Sequence, residues 1–320
     1  MRKFLGSRRG AWAVLAAAAL LPCAAHAFGF PYLVRVGGVV GLFMLLALGL
    51  NFTLGYVGLF DLGFIAFYAV GAYATAILMR AHVPVPLAVP LAIAVTMAVR
   101  FLLGLTILRL RGDYLAVVTM GFGEIARLTI NNLDGLTNGP KGLQVSPWRP
   151  LSFLTADPNT QYYLMIVAAV ALGAFAARRL EDSRVGRAWV AIREDEVAAR
   201  LSGIPVQHYK LLAFTLSAAF AGLAGSLFAL WEQFVTPESF VFWESVLLVS
   251  IVVLGGMGSI SGVLLGALIL AGIPPLMQAT LSAEWINYRY LFFGLILVLV
   301  TLFRPQGLLP SARREAELTS

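Results

Sequence analysis

Cysteine, histidine and charged residues are all scarce in this chain of 320 residues. A single cysteine, Cys23, excludes an internal disulfide and a cysteine-ligated metal cluster. The three histidines are scattered along the chain, which gives no metal-ligand spacing. Only 12% of the residues are charged and 60% are hydrophobic, whereas soluble domains carry about a quarter of charged residues. The composition therefore predicts an all-α, polytopic integral membrane protein.

The chain also lacks motifs for catalysis or nucleotide binding. Its nearest match to a phosphate-binding loop, residues 135–142, has Pro140 where that loop has a glycine before its lysine. We expect no cofactor bound by this chain and no enzymatic activity, so any ATP would be used by another subunit. The net charge of +7 comes from basic residues scattered between apolar runs. This pattern favours markers of membrane topology over nucleic-acid binding.

Ten segments are candidates for spanning the bilayer, which needs about 20 mostly apolar residues. They are 11–28, 36–51, 63–80, 86–108, 113–131, 161–178, 209–231, 243–256, 260–280 and 285–304. Several are short, so some are expected to be tilted, broken or re-entrant. If the N-terminus is inside, sixteen basic residues fall on the inside and five on the outside, as the positive-inside rule requires. Both termini are therefore predicted to be cytoplasmic, with 310–320 as a short polar tail.

The first 28 residues have two interpretations. A basic start, an apolar middle and the small-residue end Ala25-His26-Ala27 are typical of a signal peptide. The same residues also suit a retained first transmembrane helix, which agrees with the orientation of the later loops. We favour the retained helix, while cleavage of residues 1–27 stays open.

One long polar stretch, residues 178–210, interrupts the apolar segments and holds seven of the 23 basic residues. Within it, 186–205 predicts one amphipathic helix that ends at Pro205. Its apolar stripe is Trp189, Ile192, Val197 and Leu201. Its charged and small residues include Glu196, Ala198, Ala199 and Gly203. Such a charge run is either a solvated face or a helix that docks on a partner protein, and we favour docking, with Trp189 among the residues that contact the ATPase subunit.

Two glycine-rich turns echo each other, Leu54–Gly58 and Leu254–Gly258. Both are predicted on the inside, and each precedes a helix that runs outward. Duplicated halves with interrupted helices at matching positions are common in transporters and lie near the central pathway. Chance similarity of two short turns is the alternative. The hinge candidates here are Gly55, Gly58, Gly255 and Gly258, with Asp61 as a helix cap or pathway residue.

The segment 113–131 is unusually polar for a membrane helix. Glu124 and Arg127 are three residues apart, so they share a helix face and can form an ion pair. Gly121 and Gly123 lie beside them. These four residues either line a substrate route or lock neighbouring helices together. Nearby, Asp113 is predicted to cap the segment, and Arg100 is predicted to extend towards the inner surface.

Small residues recur at helical spacing in two places, Gly258/Gly262/Gly266 and Ala218/Gly222/Gly225. Such ladders allow helix backbones to approach closely within lipid. They serve either packing within the chain or a dimer face, and we favour packing within the chain.

Two long motifs resemble those of LivM-type permeases, the membrane subunits of branched-chain amino-acid ABC importers. They are RLRGDYLAVVTMGFGEIARLTINNLDGLTNGPKGL (109–143) and VGRAWVAIREDEVAARLSGIPVQHYKLLAFTLSAAFAGLAGSLFA (185–229). Shorter matches are LGLNFTLGYVGLFDLGFIAFYAVGAY (48–73), LGGMGSISGVLLGA (254–267) and FRPQGLL (303–309). The resemblance implies one permease domain over 29–309, in which 178–210 is the cytoplasmic coupling loop.

The resemblance also implies partners: a LivH-type permease, two cytoplasmic ATPase subunits, a periplasmic binding protein and the lipid of a bacterial inner membrane. The docking residues it implies are Glu196, Ala198, Ala199 and Gly203, with Val197 standing where the common coupling pattern has alanine. The solute is expected to be a branched-chain or other small apolar amino acid. Urea, amides or aromatic acids are alternatives within the family. An ion-coupled secondary transporter is an alternative from another class, as is a membrane scaffold that carries no solute.

Overall fold

A computed structural model of the chain describes residues 30–110, 112–149, 157–280 and 307–309, together with a few isolated positions. The predicted spans 11–28 and 285–304 and the tail 310–320 lie outside these described ranges. Within them, the protein is a bundle of helices with one antiparallel pair of two-residue strands.

The described chain has eleven α-helices. In order they are α1 (Tyr32–Leu50), α2 (Phe64–Arg80), α3 (Val85–Ile107), α4 (Asp113–Asn132), α5 (Asp134–Thr137), α6 (Pro158–Glu181), α7 (Arg184–Glu194), α8 (Glu196–Leu201), α9 (Val206–Glu232), α10 (Phe242–Gly255) and α11 (Ile260–Thr280). A π-helical turn, Asn51–Val57, continues α1, and 3₁₀ turns occupy Gly139–Lys141 and Pro237–Phe240. The strands are β1 (Leu143–Gln144) and β2 (Phe234–Val235).

Five helical segments of the described chain are long and apolar enough to cross a membrane: Tyr32–Val57, Val85–Ile107, Pro158–Glu181, Val206–Glu232 and Pro237–Gly255. Two shorter apolar helices, Phe64–Arg80 and Ile260–Leu276, accompany them. Helix α4 has 20 residues but is too polar to join the first group. The described chain is thus helical apart from one short strand pair, and its apolar helices agree with the predicted membrane protein.

Helix α9 is central to the bundle because it packs against α1, α2 and α3. Small residues make this close packing feasible. A Cβ atom added to Gly71 of α2 would lie 2.6 Å from the Cα of Gly222, and one added to Gly225 would lie 2.3 Å from the carbonyl oxygen of Tyr68. Real Cβ atoms do not approach backbone atoms so closely, so both positions of the α2–α9 contact need glycine.

The second small-residue ladder packs α11 against α10. A Cβ on Gly262 would lie 2.3 Å from the carbonyl oxygen of Gly255, and one on Gly266 would lie 2.4 Å from that of Ile251. The prediction that both ladders serve packing within the chain is therefore confirmed. Packing of this kind holds helices together in lipid, where hydrophobicity does not drive association.

The strands join two loops at one end of the bundle. Leu143 pairs with Val235, and Gln144 with Phe234. The hydroxyl of Tyr162 donates a hydrogen bond of 2.5 Å to the carbonyl oxygen of Trp148, which ties the same loop to the start of α6. This end lies across the bundle from the polar loop 178–210, because the 27 residues of α9 separate them by about 40 Å.

Candidate functional site

The polar stretch 178–210 forms two helices instead of the single helix predicted over 186–205. The break falls at Asp195, whose extended backbone (φ −151°, ψ 110°) ends α7 and begins α8. Its side-chain oxygen Oδ1 accepts hydrogen bonds from the backbone N–H of Val197 at 2.7 Å and of Ala198 at 3.0 Å. Aspartate is a strong N-cap because it satisfies N–H groups of the first turn. We call α7 and α8 together the arm.

Helix α7 is the anchored half of the arm. Trp189 is fully buried, and its ring lies 5.7 Å from that of Phe52 and 6.4 Å from that of Tyr56, centroid to centroid. Its indole N–H donates a hydrogen bond of 2.8 Å to the carbonyl oxygen of Tyr209. Trp189, which was predicted among the docking residues, thus has no exposed surface in this structure. Trp189 instead fastens the arm to the π-helical turn after α1.

Helix α8 is the presented half of the arm. Because the chain bends at Asp195, the predicted apolar stripe divides: Trp189 and Ile192 point inward, while Val197 is 59% exposed and Leu201 is 85% exposed. The two side chains are four residues apart on one helix, so they lie side by side on an exposed face that can serve as a contact surface for a partner. The prediction from sequence missed this division because it treated 186–205 as one continuous helix.

The other predicted docking residues lie on or beside α8. Ala198 and Gly203 are exposed, whereas Ala199 is buried. Glu196 is half-buried and forms ion pairs with Arg200 at 3.0 Å and with Lys210 at 2.7 Å, so it joins α8 to the start of α9. Gly203 has φ +83° and ends the arm in a conformation that other residues rarely adopt.

The two echo turns meet in space, although 200 residues separate them. The side-chain oxygen of Asn51 accepts a hydrogen bond of 2.9 Å from the backbone N–H of Gly258. A Cβ on Gly55 would lie 2.7 Å from that same nitrogen atom, so the backbones are in direct contact. Gly58 and Gly258 also share the left-handed conformation, with φ +78° and +80°. The last glycines of the two turns thus have matching backbone geometry.

A third peptide segment, residues 307–309, packs against the second turn. The backbone N–H of Leu308 donates to the carbonyl oxygen of Leu254 at 2.8 Å, and that of Leu309 donates to Gly255 at 3.1 Å. These carbonyls belong to the last turn of α10, where intrahelical donors run out. A Cβ on Gly307 would lie 2.5 Å from the Cα of Gly256.

The arm reaches both turns through Arg193, which sequence reasoning did not single out. Its Nη1 donates a hydrogen bond of 2.6 Å to the carbonyl oxygen of Gly55. A Cβ on Gly58 would lie 3.2 Å from Cγ of Arg193, and a Cβ on Gly258 would lie 3.5 Å from its Nη1. The only local signal for this role is a basic residue in the last turn of an amphipathic helix, which many solvated helices share.

Asp61 and Arg100 form a buried ion pair, and neither side chain is exposed. The prediction that Arg100 extends to the inner surface is therefore wrong. Asp61 also accepts a hydrogen bond of 3.0 Å from the backbone N–H of Gly63 through Oδ1, but Gly63 is the N-cap residue of α2 and no side chain caps that helix, so the cap predicted at Asp61 is wrong. At the next segment, α4 begins at Asp113 with Gly112 as its N-cap residue, so the cap predicted at Asp113 is displaced by one position.

Helix α4 carries the predicted Glu124–Arg127 pair, which the structure confirms. Nε of Arg127 lies 3.1 Å from Oε1 of Glu124, and Arg127 also lies 3.5 Å from Glu238 after β2. A shallow pocket beside the pair is lined by Leu62, Ile65, Met120, Gly123, Glu124, Phe240, Phe242 and Ser245. Its wall is mostly apolar, and Glu124 is the charged residue of its lining.

The glycines of α4 differ in their surroundings. A Cβ on Gly123 would lie 3.4 Å from the Cα of Gly63, whereas Gly121 has open space around it. The hydroxyl of Thr119 accepts a hydrogen bond of 3.1 Å from the backbone N–H of Leu62. Helix α4 therefore touches the turn before α2 along one edge, while large apolar residues on its other face are exposed, including Tyr114, Val117 and Ile125. In the described part of the chain, no group of three or more metal-binding side chains is close enough to hold an ion.

Comparisons of the sequence with known proteins identify the relatives of this chain. The family model described as the permease component of branched-chain amino acid transport systems matches residues 32–301. The high-affinity branched-chain amino acid transport system permease protein LivM of Salmonella typhimurium is 41% identical over 92% of this chain and 75% of its own length. Its Escherichia coli counterpart is 41% identical over 91% of this chain and 74% of its own length.

A more distant similarity concerns a second permease. The LivH permease protein of Escherichia coli is 37% identical over 40% of this chain and 40% of its own length. No solved structure matches the chain. The family match over most of the described bundle, together with the two LivM proteins, shows that this chain belongs to the permease-component family of branched-chain amino acid transport systems.

Proposed function

We propose that this chain is the membrane-spanning permease subunit of an ATP-driven importer for branched-chain or other small apolar amino acids. Its partners would be a LivH-type permease, two cytoplasmic ATPase subunits and a periplasmic binding protein, all at a bacterial inner membrane. Both termini would face the cytoplasm, and 29–309 would form one permease domain. The family membership and the names of the LivM relatives support the solute class.

The division of the arm into α7 and α8 is the observation that best supports an ATP-driven mechanism. Helix α7 is fixed to the bundle by buried Trp189, and α8 presents Val197 and Leu201 outward. A segment with one rigidly held half and one exposed apolar half is suited to receive a movement from another protein. Since no phosphate-binding loop was found in the sequence, the ATP would be hydrolysed by that other protein.

Helix α4 and the paired turns are our proposed moving wall of the pathway. The candidates are Gly55, Gly58, Asp61, Gly121, Gly123, Glu124, Arg127, Gly255 and Gly258. Glycines at positive φ and direct backbone contacts permit the two turns to separate without moving large side chains. Interrupted helices at matching positions of related halves commonly surround a transport site near the bilayer midplane, and the shared φ of Gly58 and Gly258 supports two related halves.

Docking is tested by changing Leu201 to glutamate in a co-expressed, affinity-tagged complex. We expect the ATPase subunits to be lost from the purified complex while the LivH-type permease stays, because a carboxylate would have to be buried in an apolar contact. Gln207→Glu is the matched control: it adds the same charge at an exposed position just after the arm. Equal retention of the ATPase subunits by both variants would contradict docking through α8.

The energy source and solute are tested in proteoliposomes that contain the complete complex. Uptake of radiolabelled leucine should require ATP on the ATPase side and binding protein on the other side. Competition with isoleucine, valine, phenylalanine and urea then ranks the solute classes. Uptake driven by a proton gradient without nucleotide would favour an ion-coupled secondary transporter and refute the proposal.

A further inference from the structure

Arg193 lies at a junction of three peptide segments. It leaves the last turn of α7 and passes Gly58 before its guanidinium reaches the carbonyl oxygen of Gly55 at 2.6 Å. The same guanidinium faces Gly258 of the second turn, where an added Cβ would be 3.5 Å away. One side chain from the arm thus bonds the first turn and lies close to the second.

A cation suits this position for an electrostatic reason. The first turn ends the helical segment that closes at Val57, and the second follows the end of α10 at Gly255. Carbonyl groups in the last turn of a helix lack intrahelical donors and carry a partial negative charge. Arg193 therefore bonds the C-terminal turn of the first segment directly and lies beside the residues that follow the end of α10. A neutral side chain of similar length would lose this attraction, and an acidic one would be repelled.

Glycine is required around the junction for the same contact. At Gly58 a Cβ would crowd the aliphatic part of Arg193, and at Gly55 a Cβ would enter the space between Asn51 and Gly258. The positive φ values of Gly58 and Gly258 turn each chain away directly after the contact. The two turns of similar sequence thus form one shared contact site for the arm.

We propose that Arg193 is the positioning residue that passes movement of the arm to both echo turns together, an inference that rests on the proposed importer function. The other strong arm contact, that of Trp189, involves Phe52 and Tyr56 of the first turn segment. Trp189 holds the arm in place, and Arg193 links it to the second turn. Movement of the arm therefore shifts both turns together. This shift opens or closes the pathway beside them.

The test measures coupling in the purified, reconstituted complex. Arg193→Gln keeps much of the side-chain length but removes the charge, and Arg193→Lys keeps the charge but not the fork of donors. For Arg193→Gln we expect leucine transported per ATP hydrolysed to fall about tenfold, within the usual range of energetic coupling between sites. Arg193→Lys should lie between this variant and the wild type. Co-purified ATPase subunits and basal ATP hydrolysis should stay at wild-type levels.

Arg187→Gln is the matched control, because Arg187 is exposed on the same helix and its guanidinium bonds the carbonyl oxygen of Asp182 within the polar stretch. It should leave the ratio of transport to hydrolysis unchanged. A constant ratio in the Arg193 variants, or loss of both variants from the membrane, would assign Arg193 a purely structural role and overturn the inference. If instead the wild-type complex holds no ATPase subunits or transports without ATP, the proposed function itself fails.

Discussion

Arg100 of α3 donates a hydrogen bond of 2.5 Å from Nη2 to Oδ2 of Asp61, in the turn before α2, and neither side chain is exposed. Three phenylalanine rings surround the guanidinium, with centroids between 4.0 and 4.9 Å from its central carbon. Nε and Nη1 have no hydrogen-bond partner among the described residues, and the faces of these rings take the place of acceptors. The pair therefore fixes the turn to α3 in the bundle interior.

This arrangement predicts a strong, non-additive effect on stability. Asp61→Asn leaves a buried cation unpaired, and Arg100→Met leaves a buried carboxylate unpaired. Each single change should cost about 3–5 kcal/mol, whereas the double change Asp61→Asn/Arg100→Met should cost much less than the sum. The measurement is the midpoint of thermal unfolding of the detergent-solubilised complex. Additive losses in the double variant would show that the two side chains act independently.

The contact between the echo turns predicts different outcomes at two hinge candidates. Gly55→Ala places a methyl group 2.7 Å from the nitrogen atom of Gly258 and into the Asn51 side chain. It should force the turns apart at a cost of about 1–3 kcal/mol. Gly121→Ala meets open space and should stabilise α4 by up to about 1 kcal/mol, since alanine is the better helix former.

Transport assays on the same two variants separate packing from hinge motion. Gly55→Ala should lower both thermal stability and leucine uptake. If Gly121 is a hinge, Gly121→Ala should slow uptake while stability is kept. Uptake at the wild-type rate would remove Gly121 from the moving wall, and full activity of Gly55→Ala would contradict the tight contact between the turns.

Features set by nearby residues could be predicted from the sequence. The apolar runs located α1, α2, α3, α6, α9, α10 and α11, because a spanning helix needs a long apolar stretch whatever it packs against. The Glu124–Arg127 pair followed from a spacing of three residues on one helix. The glycine ladders followed from the same periodicity. The two members of the ion pair lie on the same helix. The apolar runs and the glycine ladders depend only on the type of residue at each position.

Features that join distant segments could not be predicted in the same way. Arg100 was expected at the surface because its partner, Asp61, lies 39 residues away in a turn. Contact between Gly55 and Gly258 depends on how whole helices are arranged, which a repeated glycine pattern does not specify. The break at Asp195 had a local signal, since aspartate favours N-cap positions over helix interiors. The apolar periodicity on both sides of Asp195 concealed that signal.

The Glu124–Arg127 pair predicts a further double-variant result, this time in transport. Glu124→Gln should lower leucine uptake more than the joint change Glu124→Gln/Arg127→Gln, because a lone charge within the bilayer is the costly state. Arg127 keeps a second carboxylate nearby, that of Glu238 at 3.5 Å, so Glu124→Gln should be milder than Arg127→Gln. Uptake rates and KM for leucine are measured for each variant at equal amounts of complex. A double variant that loses as much uptake as the two single variants combined would show that Glu124 and Arg127 act separately on the solute.

The N-cap at Asp195 predicts that the presented half of the arm can be weakened without harming the bundle. Asp195→Ala removes the oxygen that accepts from the N–H groups of Val197 and Ala198, which should cost α8 about 1 kcal/mol. Asp195→Asn is the matched variant, since it keeps an acceptor oxygen and removes only the charge. Hydrogen exchange followed by mass spectrometry should show faster exchange over 197–201 in Asp195→Ala, near wild-type exchange in Asp195→Asn, and an unchanged thermal midpoint in both. The retention of ATPase subunits should follow the order of helix stability, because a frayed α8 must be re-formed before Val197 and Leu201 can dock together. Loss of the ATPase subunits from Asp195→Asn despite an intact α8 would instead indicate that the partner recognises the carboxylate itself.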